Sequence, residues 1–148
     1  MLLHTIGRLG AAALNPDPFI AKYIFPGYDL PSLSQMLEAS QKVRFIASDV
    51  ETLRLHYAHT LRHWYQRTQA AKAEIVALYD ERFFRLWSFY LAGAVLSFET
   101  GASCVYQVQF IRDRRALPIT RDYMAEAEAG YRSAPALGRG EGQATESV

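Results

Sequence analysis

A chain of 148 residues, half of them hydrophobic, has room for one domain with a modest core and excludes a two-domain enzyme. Its 16 basic and 15 acidic residues nearly cancel to a formal net charge of +1, so the basic footprint of a nucleic-acid binder is missing. The single cysteine, Cys104, can build neither a disulfide framework nor a cysteine metal site, which fits a reducing, cytoplasmic setting.

Residues 1–7 form a short apolar run closed by Gly7, which suits a buried strand and lacks the basic flank and cleavage site of a signal peptide. Asn15-Pro-Asp-Pro18 is loop and helix-cap chemistry, and about two helical turns follow to Phe25, stopped by Pro26-Gly27. Ser32 is the natural N-cap of a helix over 33–42, with Leu33, Met36 and Leu37 on one face, and residues 43–50 read as a strand. From Thr52 to about Tyr79 the apolar positions Leu53, Tyr57, Leu61, Trp64 and Tyr65 recur at helical spacing, which predicts one long amphipathic helix.

Asp80 can cap the next helix, whose buried stripe is Phe83, Phe84, Trp87, Tyr90, Leu91 and Ala94 and whose stop is Gly101. Its apolar stretch over 86–98 falls short of the roughly 20 residues that cross a bilayer. Residues 103–111, rich in Val and aromatics, predict a strand. Beyond Arg112 the chain turns polar, and 125–148, rich in Ala, Gly, Glu and Ser, reads as a disordered tail after a domain over 1–124. The elements by themselves give an α/β fold and no function.

The specific information lies in short strings. In order these are Leu2-Leu-His-Thr-Ile-Gly7, Phe19-Ile-x-Lys-Tyr-Ile-Phe-Pro-Gly27, Leu30-Pro-Ser32, Asp49-Val-Glu-x-Leu53, His56-Tyr-Ala-x-Thr-Leu-Arg-x-Trp64 and Tyr79-Asp-Glu-Arg-Phe83. Gln107-x-Gln-Phe and Leu117-Pro-Ile-Thr-Arg-Asp-Tyr123 extend the match. In this order and spacing they resemble the cyclopropane-fatty-acyl-phospholipid synthase and mycolic-acid cyclopropane synthase family of S-adenosylmethionine-dependent methyltransferases.

The resemblance implies the C-terminal half of a class I methyltransferase fold. Residues 1–7, 43–50 and 103–111 would be its fifth, sixth and seventh strands, the seventh inserted antiparallel between the other two. The long helices would be the family's insertion over an acyl-chain pocket. The donor-binding half is expected to be missing, because no first strand with a glycine-rich turn and ribose-binding acid is found and Gly7-x-x-Gly10 follows the wrong strand. The chain alone would then be inactive, with an unpaired strand edge that invites a separate donor-binding half or self-association.

The family reaction moves a methyl cation to a cis double bond and loses a proton to close the ring, with bicarbonate as the base. Carried over by motif, His4 and Tyr57 would be side-chain ligands of that bicarbonate and Ile6 a backbone ligand, while Phe25 would face the reacting centre as a cation-stabilising ring. Read as residue types alone, Phe25 and Tyr57 are ordinary core aromatics and His4 a structural histidine. One departure from the family pattern is Tyr28, where a second glycine is common. His59 and His63 have the i, i+4 spacing of a zinc pair, but Thr60 stands where a metalloprotease glutamate would, so no metal is assigned.

Three readings follow: an enzyme part acting on unsaturated phospholipid acyl chains, with S-adenosylmethionine and bicarbonate as cofactors; a lipid-binding or regulatory subunit without chemistry; or a truncated, non-functional product. A cytoplasmic location is expected, with peripheral contact at the inner membrane face compatible with the first two.

Overall fold

The computed structural model describes residues 1–10, 17–101 and 103–133. Contacts divide the chain into Met1–Arg114 and Arg115–Val148. Within the first unit the elements run β1 (Leu2–Arg8), α1 (Pro18–Tyr23), α2 (Leu33–Lys42), β2 (Ile46–Leu53), α3 (His56–Ala70), α4 (Lys72–Leu78), α5 (Glu81–Glu99) and β3 (Ser103–Ile111).

The helix starts follow local chemistry. The Asp17 carboxylate accepts from the amides of Phe19 (2.8 Å) and Ile20 (3.2 Å), with Pro18 in the first turn where its missing N–H costs nothing. Ser32 and Gln35 close a reciprocal capping box at α2. Asp80 accepts from the Phe83 amide at 2.6 Å and opens α5.

The sheet order is β1-β3-β2, antiparallel throughout, so β3 lies between the other two as the resemblance implied. β3 is paired on both sides and covered on both faces, which accounts for its nearly continuous burial. On one face Cys104, Tyr106, Val108 and Phe110 pack against Met36 of α2, with Leu3, Leu33, Leu37 and Phe45 around them. On the other, Val105 packs with Ala58, Leu61, Leu91 and Phe98 of α3 and α5, joined by Ile6, Leu53, Tyr57, Trp87 and Tyr90. Successive strand residues point to opposite faces, so Ile6 and Val105 share one cluster while Leu3 and Tyr106 share the other.

Gly7 is required by a close approach. A β-carbon there would sit 2.6 Å from the Tyr106 ring and 2.7 Å from the Pro31 carbonyl oxygen. The Tyr106 hydroxyl crosses this space to donate to the Arg8 carbonyl at 3.0 Å.

Burial raises the ionisation of both Cys104 and Tyr106, the latter from 10.0 to about 12, where a hydrogen bond and charge repulsion from Cys104 add to desolvation. A raised folded-state pKa favours the neutral form, so the stability it contributes is complete below the ordinary ionisation range and is lost as pH climbs through the folded value. The unfolding midpoint is therefore expected to fall steadily on the alkaline side, up to about pH 12. The Tyr106→Phe variant should lose a measurable part of that slope in thermal melts across the same range.

Three sequence expectations change. β2 spans 46–53 rather than 43–50, because residues 43–45 close a turn in which Arg44 takes φ 59° and the Val43 and Phe45 amides both bond the Ser40 carbonyl. The strand continues through Thr52 and Leu53 because they pair with Tyr106 and Val105, so the helix begins only at His56. That helix is not continuous to Tyr79: it stops at Ala71 (φ −91°, ψ 18°) and restarts as α4. No proline or glycine marks this break. The turn places Lys72 3.0 Å from Glu81 and its ammonium 5.0 Å from the centre of the Phe84 ring, a tertiary contact that periodicity does not encode.

In the second unit Asp122–Ser133 forms a helix, α6, without a buried residue. It occupies 125–133 of the expected disordered tail, and 134–148 lie outside the described residues. Among the described residues no helix is long and apolar enough to cross a membrane.

Candidate functional site

Among the described residues, the first unit holds a cavity of about 340 Å³ between α1, the loop after it, α5 and the C-terminal half of β1. Its apolar walls are Phe19, Ile20, Phe25, Phe89, Tyr90 and Phe98, with Ile6 contributed by the sheet. Edge-on ring contacts order these walls: Phe19 meets Phe89 at 4.9 Å, and Phe25 meets Tyr90 at 5.8 Å.

Phe25 reaches the cavity because α1 ends just before it. Its amide bonds the Ile20 carbonyl (2.9 Å), and Gly27, at φ +75°, reverses the chain. Tyr28, the departure from the family pattern, keeps an ordinary negative φ, and its hydroxyl accepts from the Asp17 amide at 2.8 Å. The extra side chain thus ties the loop after α1 back to the start of α1.

One wall is set by a residue that the sequence reading did not single out. Arg8 is 5% exposed; its guanidinium donates to the Leu30 carbonyl and to Gln35 Oε1 (2.9 Å), with Asp29 at 3.7 Å. Its Nε–H has no hydrogen-bond partner among the described residues. No periodicity signals a buried arginine directly after Gly7; only the fold makes the loop over 29–31 its partner.

Tyr90 was read as a helix-stripe residue, and it also faces the cavity. Its phenol is raised above its ordinary ionisation by desolvation and, to a smaller extent, by Tyr57. Tyr57, in the first turn of α3, is half buried, with ring centres 5.1 Å from Phe98 and 5.9 Å from Trp64.

The four expected site residues are distributed as follows. Ile6 and Phe25 line the cavity. Tyr57 packs in the cluster that contains Ile6 and Phe98, next to the cavity wall. His4 lies in mid-strand, exposed, two residues before Ile6 and on the same face by strand alternation, with Nδ1 3.1 Å from Gln107 Nε2. His4 and Tyr57 do not line the cavity itself.

The ladder also orients the backbone at this place. Met1 bonds Phe110 through both its nitrogen and its carbonyl (2.8 Å each), whereas the Arg8 amide turns away from β3 to the Pro31 carbonyl (3.1 Å). Antiparallel alternation therefore turns the N–H and C=O of His4 and Ile6 to the outer edge of β1. His56, His59 and His63 are exposed on α3.

Comparison with known proteins places this arrangement. Residues 1–108 match the family model described as mycolic acid cyclopropane synthetase. The cyclopropane-fatty-acyl-phospholipid synthase of Escherichia coli K12 is 40% identical over 111 residues, which are 75% of this chain and 28% of that protein. A probable fatty acid methyltransferase of Pseudomonas putida is 36% identical over 126 residues, covering 82% of this chain and 31% of its own length.

Among solved structures, a cyclopropane synthase from Mycobacterium tuberculosis superposes with a TM-score of 0.68 at 31% identity, over 74% of this chain and 42% of that one. A mycolic acid cyclopropane synthase complexed with SAH and CTAB gives 0.66 at 31% identity, over 74% and 43%. The chain thus spans under a third of the curated relatives and under half of the solved ones, as a small α/β domain matching part of the methyltransferase structures. With the family model matching residues 1–108 and a relative 40% identical over 75% of the chain, the chain belongs to the mycolic acid cyclopropane synthetase family.

Proposed function

We propose that these residues supply the acyl-chain cavity and part of the anion site of an S-adenosylmethionine-dependent methyltransferase that adds a methylene group to unsaturated acyl chains. The donor-binding part lies in residues other than these 148. The observation that carries this reading is the convergence of Ile6, Phe25 and Tyr90 on one aromatic-walled cavity. A lipid chain needs apolar walls of this kind, and a cationic centre on it needs rings that stabilise charge without attacking it.

The residues fit an oxyanion. An imidazole at His4, a phenol at Tyr57 and an outward-turned Ile6 amide are all hydrogen-bond donors, matched to the lone pairs of a bicarbonate. When bound, the donor supplies the methyl group and bicarbonate the base. The chain's own part is to hold the acyl chain against Phe25 and to keep water off it with Phe19, Phe89 and Phe98. The relatives' names, a fatty-acyl-phospholipid synthase and a fatty acid methyltransferase, support lipid acyl chains as the substrate class.

Two measurements test the division of labour. Calorimetry on the 148-residue chain should detect no micromolar affinity for S-adenosylmethionine, since no glycine-rich turn after a first strand is available to hold it. A fluorescent cis-unsaturated fatty acid should bind the same chain and be weakened by Phe25→Ala. Tight donor binding would overturn the division. Acyl-chain binding without methyl transfer, once a donor-binding part of the family is supplied, would favour a lipid-binding subunit instead.

A further inference from the structure

We propose that Gln107 is a positioning residue for His4, fixing which ring nitrogen carries the proton. This deepens the anion-site reading above and rests on it for its functional meaning.

His4, Gln107 and Glu51 stand directly opposite one another across β1, β3 and β2. The next row, Ile6, Val105 and Leu53, is apolar and packs beneath α3 and α5. Gln107 therefore places a neutral amide in a strand whose neighbours Val105, Tyr106 and Val108 are all buried, at the point where the covered face gives way to an exposed one.

Because the His4 amide and carbonyl turn away from β3, His4 and Gln107 form a pair without mutual backbone hydrogen bonds, the kind in which facing side chains come closest. Their side chains use that proximity: Gln107 Nε2 lies 3.1 Å from His4 Nδ1. With Nε2 toward the ring, the amide donates, Nδ1 accepts and the imidazole proton sits on Nε2. The other ring nitrogen is then an N–H donor, the form that an oxyanion requires. β3 is anchored by strands on both sides, so the amide is held on a rigid element.

The test is the tautomer of His4, read by long-range proton–nitrogen correlation on the 148-residue chain with labelled histidine, above the histidine titration range. The expected wild-type signature is a protonated Nε2 with an acceptor Nδ1. Gln107→Leu should shift both nitrogen resonances toward a freely exchanging mixture. Gln107→Glu, which can only accept, should move the proton to Nδ1. A merely structural role for Gln107 would not reverse the tautomer, and the backbone amide spectrum reports whether each variant is folded.

A wild-type ring protonated on Nδ1, or a His4 signature unmoved in both variants, would overturn the proposal. Titration with sodium bicarbonate separates it from the reading it rests on. A tautomer that follows Gln107 while bicarbonate leaves the His4 signals unchanged supports the positioning role and removes the anion site.

Discussion

Tyr57→Phe is expected to lower methylene transfer by about 10²–10⁴-fold in the enzyme assembled with its donor-binding part, while leaving the unfolding midpoint unchanged. The substitution removes one oxygen and keeps the ring. The contacts of that ring with Phe98 at 5.1 Å and Trp64 at 5.9 Å, and its place beside Ile6 and Leu91, survive it. What disappears is the proposed donor to the anion and the electrostatic influence of Tyr57 on Tyr90, so the Tyr90 phenol should ionise lower in the variant. A variant that turns over at the wild-type rate would reduce Tyr57 to a packing residue and leave the anion site without its phenol. Comparison with Phe25→Ala separates the two contributions, since the loss of that ring should act on acyl-chain binding as well as on rate.

Leu91→Ala should cost about 2–5 kcal/mol of folding stability, enough to place a domain of ordinary stability near its unfolding threshold. Leu91 is 0% exposed and sits in α5 among Ala58, Leu61, Phe98 and Val105, where the helical pair meets the sheet. Removing its branched end leaves a void bounded by both helices and β3, elements whose backbones are tied by their own hydrogen bonds and cannot collapse inward freely. Phe89, two residues earlier and 64% exposed, provides the control: Phe89→Ala should change stability little while opening the aromatic-walled cavity. Urea unfolding of the two variants reads the contrast directly, and equal losses at the two positions would show that the cluster around Leu91 is not the centre of the fold.

The accuracy of the sequence reading varies with the range of the interaction concerned. The caps at Asp17, Ser32 and Asp80 act on amides two or three residues away, and the helices begin where those residues indicate. β3 was legible because a strand buried on both faces carries its own apolar run. The end of β2 was not, since Thr52 and Leu53 fit a helical period as well as a strand period and only pairing with Tyr106 and Val105 decides between them. The break at Ala71 had no local cause to be read.

For the site, motif spacing brought His4, Ile6, Phe25 and Tyr57 to notice, whereas Arg8 escaped it and Gln107 entered only within the string Gln107-x-Gln-Phe, with no role attached. Their contacts depend on partners distant in the chain: Leu30 and Gln35 for the one, and His4, 103 residues away, for the other. The sequence by itself determined the helix caps, the central strand, the family and the residue types able to bind an oxyanion, because these depend on neighbours within a few positions or on the order of short strings. The tertiary structure alone decided which rings enclose the cavity, which backbone groups face the outer edge of β1 and which amide lies against His4. Those outcomes depend on strand register and helix packing, which bring together residues that share no local signal.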